Sequence, residues 1–287
     1  MNISPRVTQR IAFGVMWGAV AIVLLLLLFV IGYILWRGFS SLSFDFVFGP
    51  TTEGGLRAPL VGTVYIVALT LLIVVPLGVG TAVWLSEYAP IKGRFAPFIR
   101  YTLDGLAGIP SIIFGLFGAA FFVYMMIGEQ CILAGALTLA CLSLPFMVGA
   151  AEEAIRSVPK SQKEAALALG ATRWQVTWRV VLPAALPGII TGAILCTGTA
   201  IAETAPLLAT SGFSAFTPHS PLDGCRTLAL HLFYLATEAP CTGGVTHEDL
   251  VDKAMGVGVI LILVIVILNL LMRFLSGRYI ARMRGGK

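Results

Sequence analysis

The residues able to do chemistry in this chain are few and poorly placed for catalysis. His219, His231 and His247 lie in or near one polar stretch without the spacing of a metal site, and read as loop residues. No G-x4-G-K-[ST] sequence occurs, so the chain lacks the usual loop for cradling ATP phosphates. It also lacks a nucleophile elbow and any carboxylate pair placed for acid–base work. The reading is a non-enzyme that binds no metal and no cofactor of its own. Asp104 stands where an apolar run begins and would cap a helix N-terminus. Glu203 lies toward the far end of another such run, where a charge costs roughly 2.5–3.5 kcal/mol, so it needs a partner, a proton or water. A structural hydrogen-bond anchor and a gating or pathway group are both open readings for it. A lone carboxylate is unsuited to hold an anion, because like charges repel strongly at low dielectric. Cys131, Cys141 and Cys196 fall within or beside apolar runs and read as packing. Cys225 and Cys241 share the polar stretch 209–253, where they form either a disulfide or two free thiols.

One polar segment has the character of a mechanical part. From Ser157 to Pro183 it begins with a candidate N-cap (Ser157) and a proline in the first turn (Pro159). It continues through Glu164, Ala165 and Ala166 and meets Gly170, where such a helix stops. Alanines permit close backbone approach, so a short helix of this kind suits insertion into a cleft on another protein. An amphipathic loop resting on lipid headgroups is the alternative.

The elements that position these residues are membrane spans. Of the 287 residues 58% are apolar and only 11% charged, against roughly 25% charged in a soluble domain. Six stretches reach the ~20 apolar residues that a hydrocarbon core demands: 11–36, 58–86, 105–128, 130–151, 180–202 and 254–272. The first is far longer than a signal-peptide core and has no cleavage site after it, so it reads as a retained helix. With the N-terminus inside, only Arg37, Arg57, Arg226 and Lys253 fall on outer segments, leaving 15 of the 19 Lys and Arg on inner ones. The positive-inside rule therefore places both termini in the cytoplasm, and the net charge of +5 is a cytoplasmic rim rather than a nucleic-acid surface. Ile109-Pro110-Ser111 with Gly115 and Gly118 should kink the third span, and Pro145 the fourth. Gly188 and Gly192 give the fifth a small-residue face.

Glu164-Ala165-Ala166, Gly170 six residues after Glu164, then Val180-Val181-Leu182-Pro183, resembles the EAA loop (EAA-x3-G-x9-I-x-LP) of ABC-importer permeases. Further segments resemble the PstA-type subunits of phosphate importers: Glu53 to Leu56, Leu85-Ser86-Glu87-Tyr88, Ile109 to Leu116, Glu152 to Pro159, and Ala202-Glu203-Thr204-Ala205-Pro206. The resemblance implies an all-α, six-helix, type I ABC importer permease (MetI-like) fold. One permease domain would span 1–287, with a coupling loop at 152–183 and an outer loop at 209–253, in a bacterial plasma (inner) membrane. It implies that Glu164, Ala165, Ala166, Gly170, Leu182 and Pro183 couple to an ATPase, and that Glu203, Thr204, Pro110 and Ser111 belong to a pathway or gate. The partners implied are a PstC-like second permease, a PstB-like ATPase dimer carrying ATP and Mg, and a PstS-like external phosphate-binding protein. Thr199 and Gly149 stand where that family often has arginines, which puts an arginine-lined phosphate path in doubt. A permease for sulfate or molybdate, an ion-coupled secondary transporter using Glu203, and a signalling module are the rival readings.

Overall fold

The computed structural model describes residues 5–90, 93–241 and 246–283, so Lys92, Arg284 and Lys287 of the basic rim lie outside the described residues. The helices are α1 (Pro5–Phe39), α2 (Phe44–Phe48), α3 (Arg57–Val83), α4 (Phe95–Ala107), α5 (Ser111–Gly118) and α6 (Ile132–Arg156). They continue with α7 (Lys160–Ala168), α8 (Arg173–Val176), α9 (Leu182–Ala202), α10 (Ala205–Thr210), α11 (Leu228–Thr237) and α12 (His247–Met283), and no strand occurs among the described residues. Wider π-turns extend α3 over Trp84–Tyr88, extend α5 over Ala119–Ile127, and join α8 to α9 through Thr177–Val181.

The core forms around α6, whose apolar stretch is 67% buried, whereas none of the apolar stretch of α1 is. Between α3 and α9 on either side of it lie Val74, Met147, Val148, Ala151, Ile155, Val181 and Ile189, all buried. Close approach depends on small side chains. A Cβ placed on Gly188 would come within 2.6 Å of the Ala154 Cβ, and one on Gly192 within 2.7 Å of the Ala150 Cβ. The fifth span's small-residue face is therefore the α6–α9 contact, where lipid-like side chains gain nothing from mere hydrophobicity and backbone proximity supplies the dispersion. Helix α1 touches the body only near its last turns, where Gly38 rests on the Met255 backbone and Arg37 pairs with Asp252 and Glu248 of α12.

Among the described residues five helices are long and apolar enough to cross a membrane, and a sixth crossing comes from a pair bent by 102°, α4 and α5 with its extension. The expected third span at 105–128 is thus not a kinked rod but a break. Pro110 is extended (φ −56°, ψ 137°) and starts a new helix, since proline has no N–H for the preceding turn and its ring disfavours a helical residue before it. Asp104 lies exposed in the last turn of α4, so it caps no N-terminus, contrary to the expectation from sequence. The 8 residues of α5 and 9 of its extension rise about 25 Å at ~1.5 Å each, close to a hydrocarbon thickness without α4.

The described residues of the stretch 209–253 are more ordered than a turn-rich loop. Its carbonyls at Thr210, Asp223 and Pro221 accept from the N–H groups of Cys131, Ile132 and Leu133, which are the orphan donors at the start of α6. Leu228 N–H in turn donates to the buried Thr63 hydroxyl of α3 at 2.9 Å.

Candidate functional site

Two regions gather the residues that the sequence singles out. The first is at the end of the bundle that carries α7. Ser157 does not cap α7. It ends α6, its hydroxyl donating to the Ala154 carbonyl at 2.7 Å, and Pro159 begins α7 instead. Gly170 does stop the helix, at φ +85°, with Ala171 N–H donating to the Ala166 carbonyl (3.1 Å) and Gly170 N–H to that of Leu167 (2.9 Å). These two bonds make a Schellman turn, which requires a left-handed residue that glycine supplies without steric cost. No residue of α7 is buried: Glu164 and Ala165 are exposed, as is Gly170 beyond its end, and Leu169 is 90% exposed.

This exposed rod is tied to the bundle by charge and by chain. Lys163 of α7 forms an ion pair with Glu87, in the π-turn that ends α3, and both side chains are mostly shielded. After Gly170 the chain enters α8 through a capping box, in which Thr172 and Gln175 satisfy each other's backbone, and runs on through the π-turn into Leu182 and Pro183 at the start of α9. The Tyr88 hydroxyl reaches Thr177 at 3.3 Å. Nearby, Arg100 and Arg156 share Glu152 at 2.8 and 2.7 Å, and Arg100 also donates to the Leu85 carbonyl. A push on α7 therefore reaches α3 through Lys163–Glu87 and α9 through the covalent chain. Sequence reasoning passes over Lys163, Arg100 and the pairing role of Glu87 and Glu152. The usable signal is that Glu87 and Glu152 fall near the ends of apolar runs, where a buried or half-buried acid needs a basic partner.

The second region lies between two helix breaks. Glu203 is not inside the fifth span as expected. It is extended (φ −69°, ψ 133°) and follows the last residue of α9. Thr204 and Pro206 then start α10, which packs on α5 so closely that a Cβ on Gly115 would come within 3.0 Å of the Ala205 carbonyl oxygen. The break at Glu203–Thr204 thus sits beside the break at Gly108–Pro110. Between them is a cavity of about 190 Å³ lined by Ser111, Ser143, Thr199 and Glu203 with Phe114, Phe146 and other apolar groups. Of the four expected pathway residues, Glu203 and Ser111 share this cavity, while Pro110 and Thr204 mark the breaks that open it. Nothing in the sequence pattern selects Ser143, which is 1% exposed with its hydroxyl unpartnered. Among the described residues no Lys or Arg lines the cavity. Thr199 also borders a second space of about 440 Å³, shared with Asn269 and Arg273 of α12.

Outside these regions, Cys225 and Cys241 are two free thiols, not a disulfide. Cys225 is fully buried against Gly62, and burial pushes its thiol up to about 12, whereas Cys241 is exposed beyond α11. His231 is buried in α11 rather than lying in a loop. Its Nδ1 is 3.2 Å from Arg226 Nη1, whose guanidinium also donates to the Phe213 carbonyl and lies over the Tyr234 ring at 4.6 Å. Burial, and secondarily the Arg226 charge, depress the imidazole to about 4.

A helical bundle with an exposed, glycine-capped rod at one end can be compared with known proteins. Residues 75–285 match the family of binding-protein-dependent transport system inner membrane components. The chain belongs to that family. Among its relatives, a probable ABC transporter permease protein, YqgI of Bacillus subtilis, is 37% identical over 94% of this chain and 96% of its own. The phosphate transport system permease protein PstA of Mycobacterium leprae is 31% identical over 97% and 92%. A chain of a bacterial alginate ABC transporter superposes with a TM-score of 0.68 at 15% identity, covering 95% of this chain and 96% of that one. The fold is accordingly that of an ABC importer permease, as the EAA-like spacing implied, and the chain is a multi-pass membrane protein of a transport system.

Proposed function

We propose that this chain is the permease subunit of an ATP-driven importer of inorganic phosphate. In this reading residues 1–287 form one permease domain in a bacterial inner membrane, with α7 and both termini in the cytoplasm. It works with a homologous PstC-like permease, a PstB-like ATPase pair that holds ATP and Mg, and an external PstS-like phosphate-binding protein. The observation that carries the coupling role is the exposed α7, presenting Glu164, Ala165 and Leu169 outward while Lys163 and the Gly170 turn fasten it to α3 and α9. Closure of the ATPase pair moves α7, α7 moves the inner ends of α3 and α9, and the two permeases alternate their opening. The choice of phosphate is supported by relatives named as phosphate permeases, including the one from Mycobacterium leprae.

The cavity at the two breaks fits a gate better than an anion seat, because a carboxylate among hydroxyls with no lining cation repels a free anion. Glu203 at a helix break changes its surroundings when α9 and α10 move, which is what a gating group requires. A cation for the oxyanion comes from Arg273, across Thr199 in the neighbouring space.

The decisive experiment is uptake of labelled phosphate by the reconstituted four-part importer. Gly170→Asp should abolish ATPase association or coupled uptake while the chain still inserts, and unaffected uptake would reject the docking role. Excess sulfate or molybdate should leave uptake unchanged, and uptake without the ATPase pair would transfer the chain to the ion-coupled class.

A further inference from the structure

At the α7 end, the last turns of α3 and the first turns of α9 leave between them a groove of about 780 Å³. Aliphatic side chains such as Val79 and Ile189 line it, and Trp84, Tyr88, Trp174 and Trp178 stand around it where these helices end. Trp174 and Trp178 pack on each other with centroids 5.2 Å apart yet are 61% and 52% exposed, and Trp84 packs edge-on against Phe95 at 5.8 Å. Glu87, between Trp84 and Tyr88, is paired with Lys163, so the unpaired charge beside these aromatic residues is basic. Arg173 and Arg179 flank the tryptophan pair in sequence, and Arg94 precedes Phe95. All three are exposed, and none has a carboxylate partner among the described residues. Elsewhere on the same end Arg100, Arg156 and Lys163 each have one.

We propose that this groove binds an anionic membrane phospholipid, with an acyl chain between α3 and α9 and the phosphate held by Arg173, Arg179 and Arg94. The slot is too apolar to seat a free ion, and indole rings settle at headgroup depth where one edge is apolar and the other wet. Basic groups around a cleft between membrane helices are the recognised setting for an anionic headgroup. A protein partner laid over the same surface would have to bring acids to three arginines. The lipid sits where the π-turn joins α8 to α9, so it stiffens the hinge through which α7 acts, whichever anion is carried.

The test uses the assembled importer in vesicles of phosphatidylcholine, with or without phosphatidylglycerol, and native mass spectrometry to count retained lipids. A photoreactive benzoyl-phenylalanine replacing Trp178 should form adducts with phosphatidylglycerol. Arg173→Gln and Arg179→Gln should each lower its retention about fivefold, the factor corresponding to about 1 kcal/mol per basic group. Gly80→Leu, at an open position on the groove wall, should block retention with every arginine intact. The arginine changes are at exposed sites and keep the test valid if the leucine variant misfolds. Adducts found on the second permease or the ATPase, or retention indifferent to headgroup charge and to the arginine changes, would overturn the proposal.

Discussion

Ser143 is an uncommon residue for a packed helix: a hydroxyl 1% exposed, with no partner, on the wall of the Glu203 cavity. A buried polar atom left unpaired costs about 1–3 kcal/mol, so its removal should not destabilise the fold. We expect Ser143→Ala to melt no lower than the parent in detergent, yet to slow phosphate uptake, because the hydroxyl serves the gate when the breaks move. Equal uptake would reduce Ser143 to an accident of packing. His231 allows a second residue-scale expectation. Its imidazole is held near 4 in the folded chain against an ordinary 6.5, so the unfolded chain takes up the proton first as pH falls. Stability is therefore full above about pH 6.5, declines as pH drops toward 4, and levels below that, with a total change on the order of 3 kcal/mol. Arg226 and Tyr234 are the charged and titratable groups packed against it. Thermal melting at pH 7.5 and pH 5 should differ in the parent and much less in His231→Gln. An identical pH response in that variant would remove His231 as the cause.

The element proposed to transmit force is α7 with its two ties, and the ionic tie can be tested by reversal. Lys163→Glu or Glu87→Lys alone sets like charges together in a mostly shielded site, and each should uncouple ATP hydrolysis from uptake. The double exchange should restore coupling, with an interaction energy within about 0.5–3 kcal/mol in a double-mutant cycle. Failure of the double exchange to restore anything would mean that Lys163 acts by some route other than Glu87. This element is readable in the sequence, because a glycine stop and an alanine-rich polar run are local signals that no packing overrides. The breaks are not. Pro110 inside an apolar run looks the same whether it kinks a span or ends one, and what decides is that α4, carrying Arg100 and Asp104, turns away by 102°. Hydropathy puts Glu203 inside a helix because it cannot see a helix end within an apolar run, although Pro206 two residues into the next helix is the available clue. Ser157 fails as an N-cap for a related reason, since a serine before a proline caps whichever helix needs it, and here that is the end of α6.

For the whole molecule, the orientation decides whether the proposed machine faces the right way, and the chain contains its own probe. Cys241 is exposed, while Cys131, Cys196 and Cys225 are buried and Cys141 is partly covered. In the proposed orientation, which rests on the 15-to-4 split of basic residues, Cys241 is outside and α7 inside. A membrane-impermeant maleimide added to intact cells should therefore label the parent, and Cys241→Ser should remove most of the label. In that background Leu169→Cys, at a side chain 90% exposed on the Gly170 turn, should label only in inside-out vesicles, and less when the ATPase pair is bound. Protection by the ATPase distinguishes docking from simple sidedness, because a loop resting on headgroups would be equally reactive with or without it. Labelling of the Leu169→Cys variant in intact cells would invert the topology, and with it the assignment of α7 to a cytoplasmic partner.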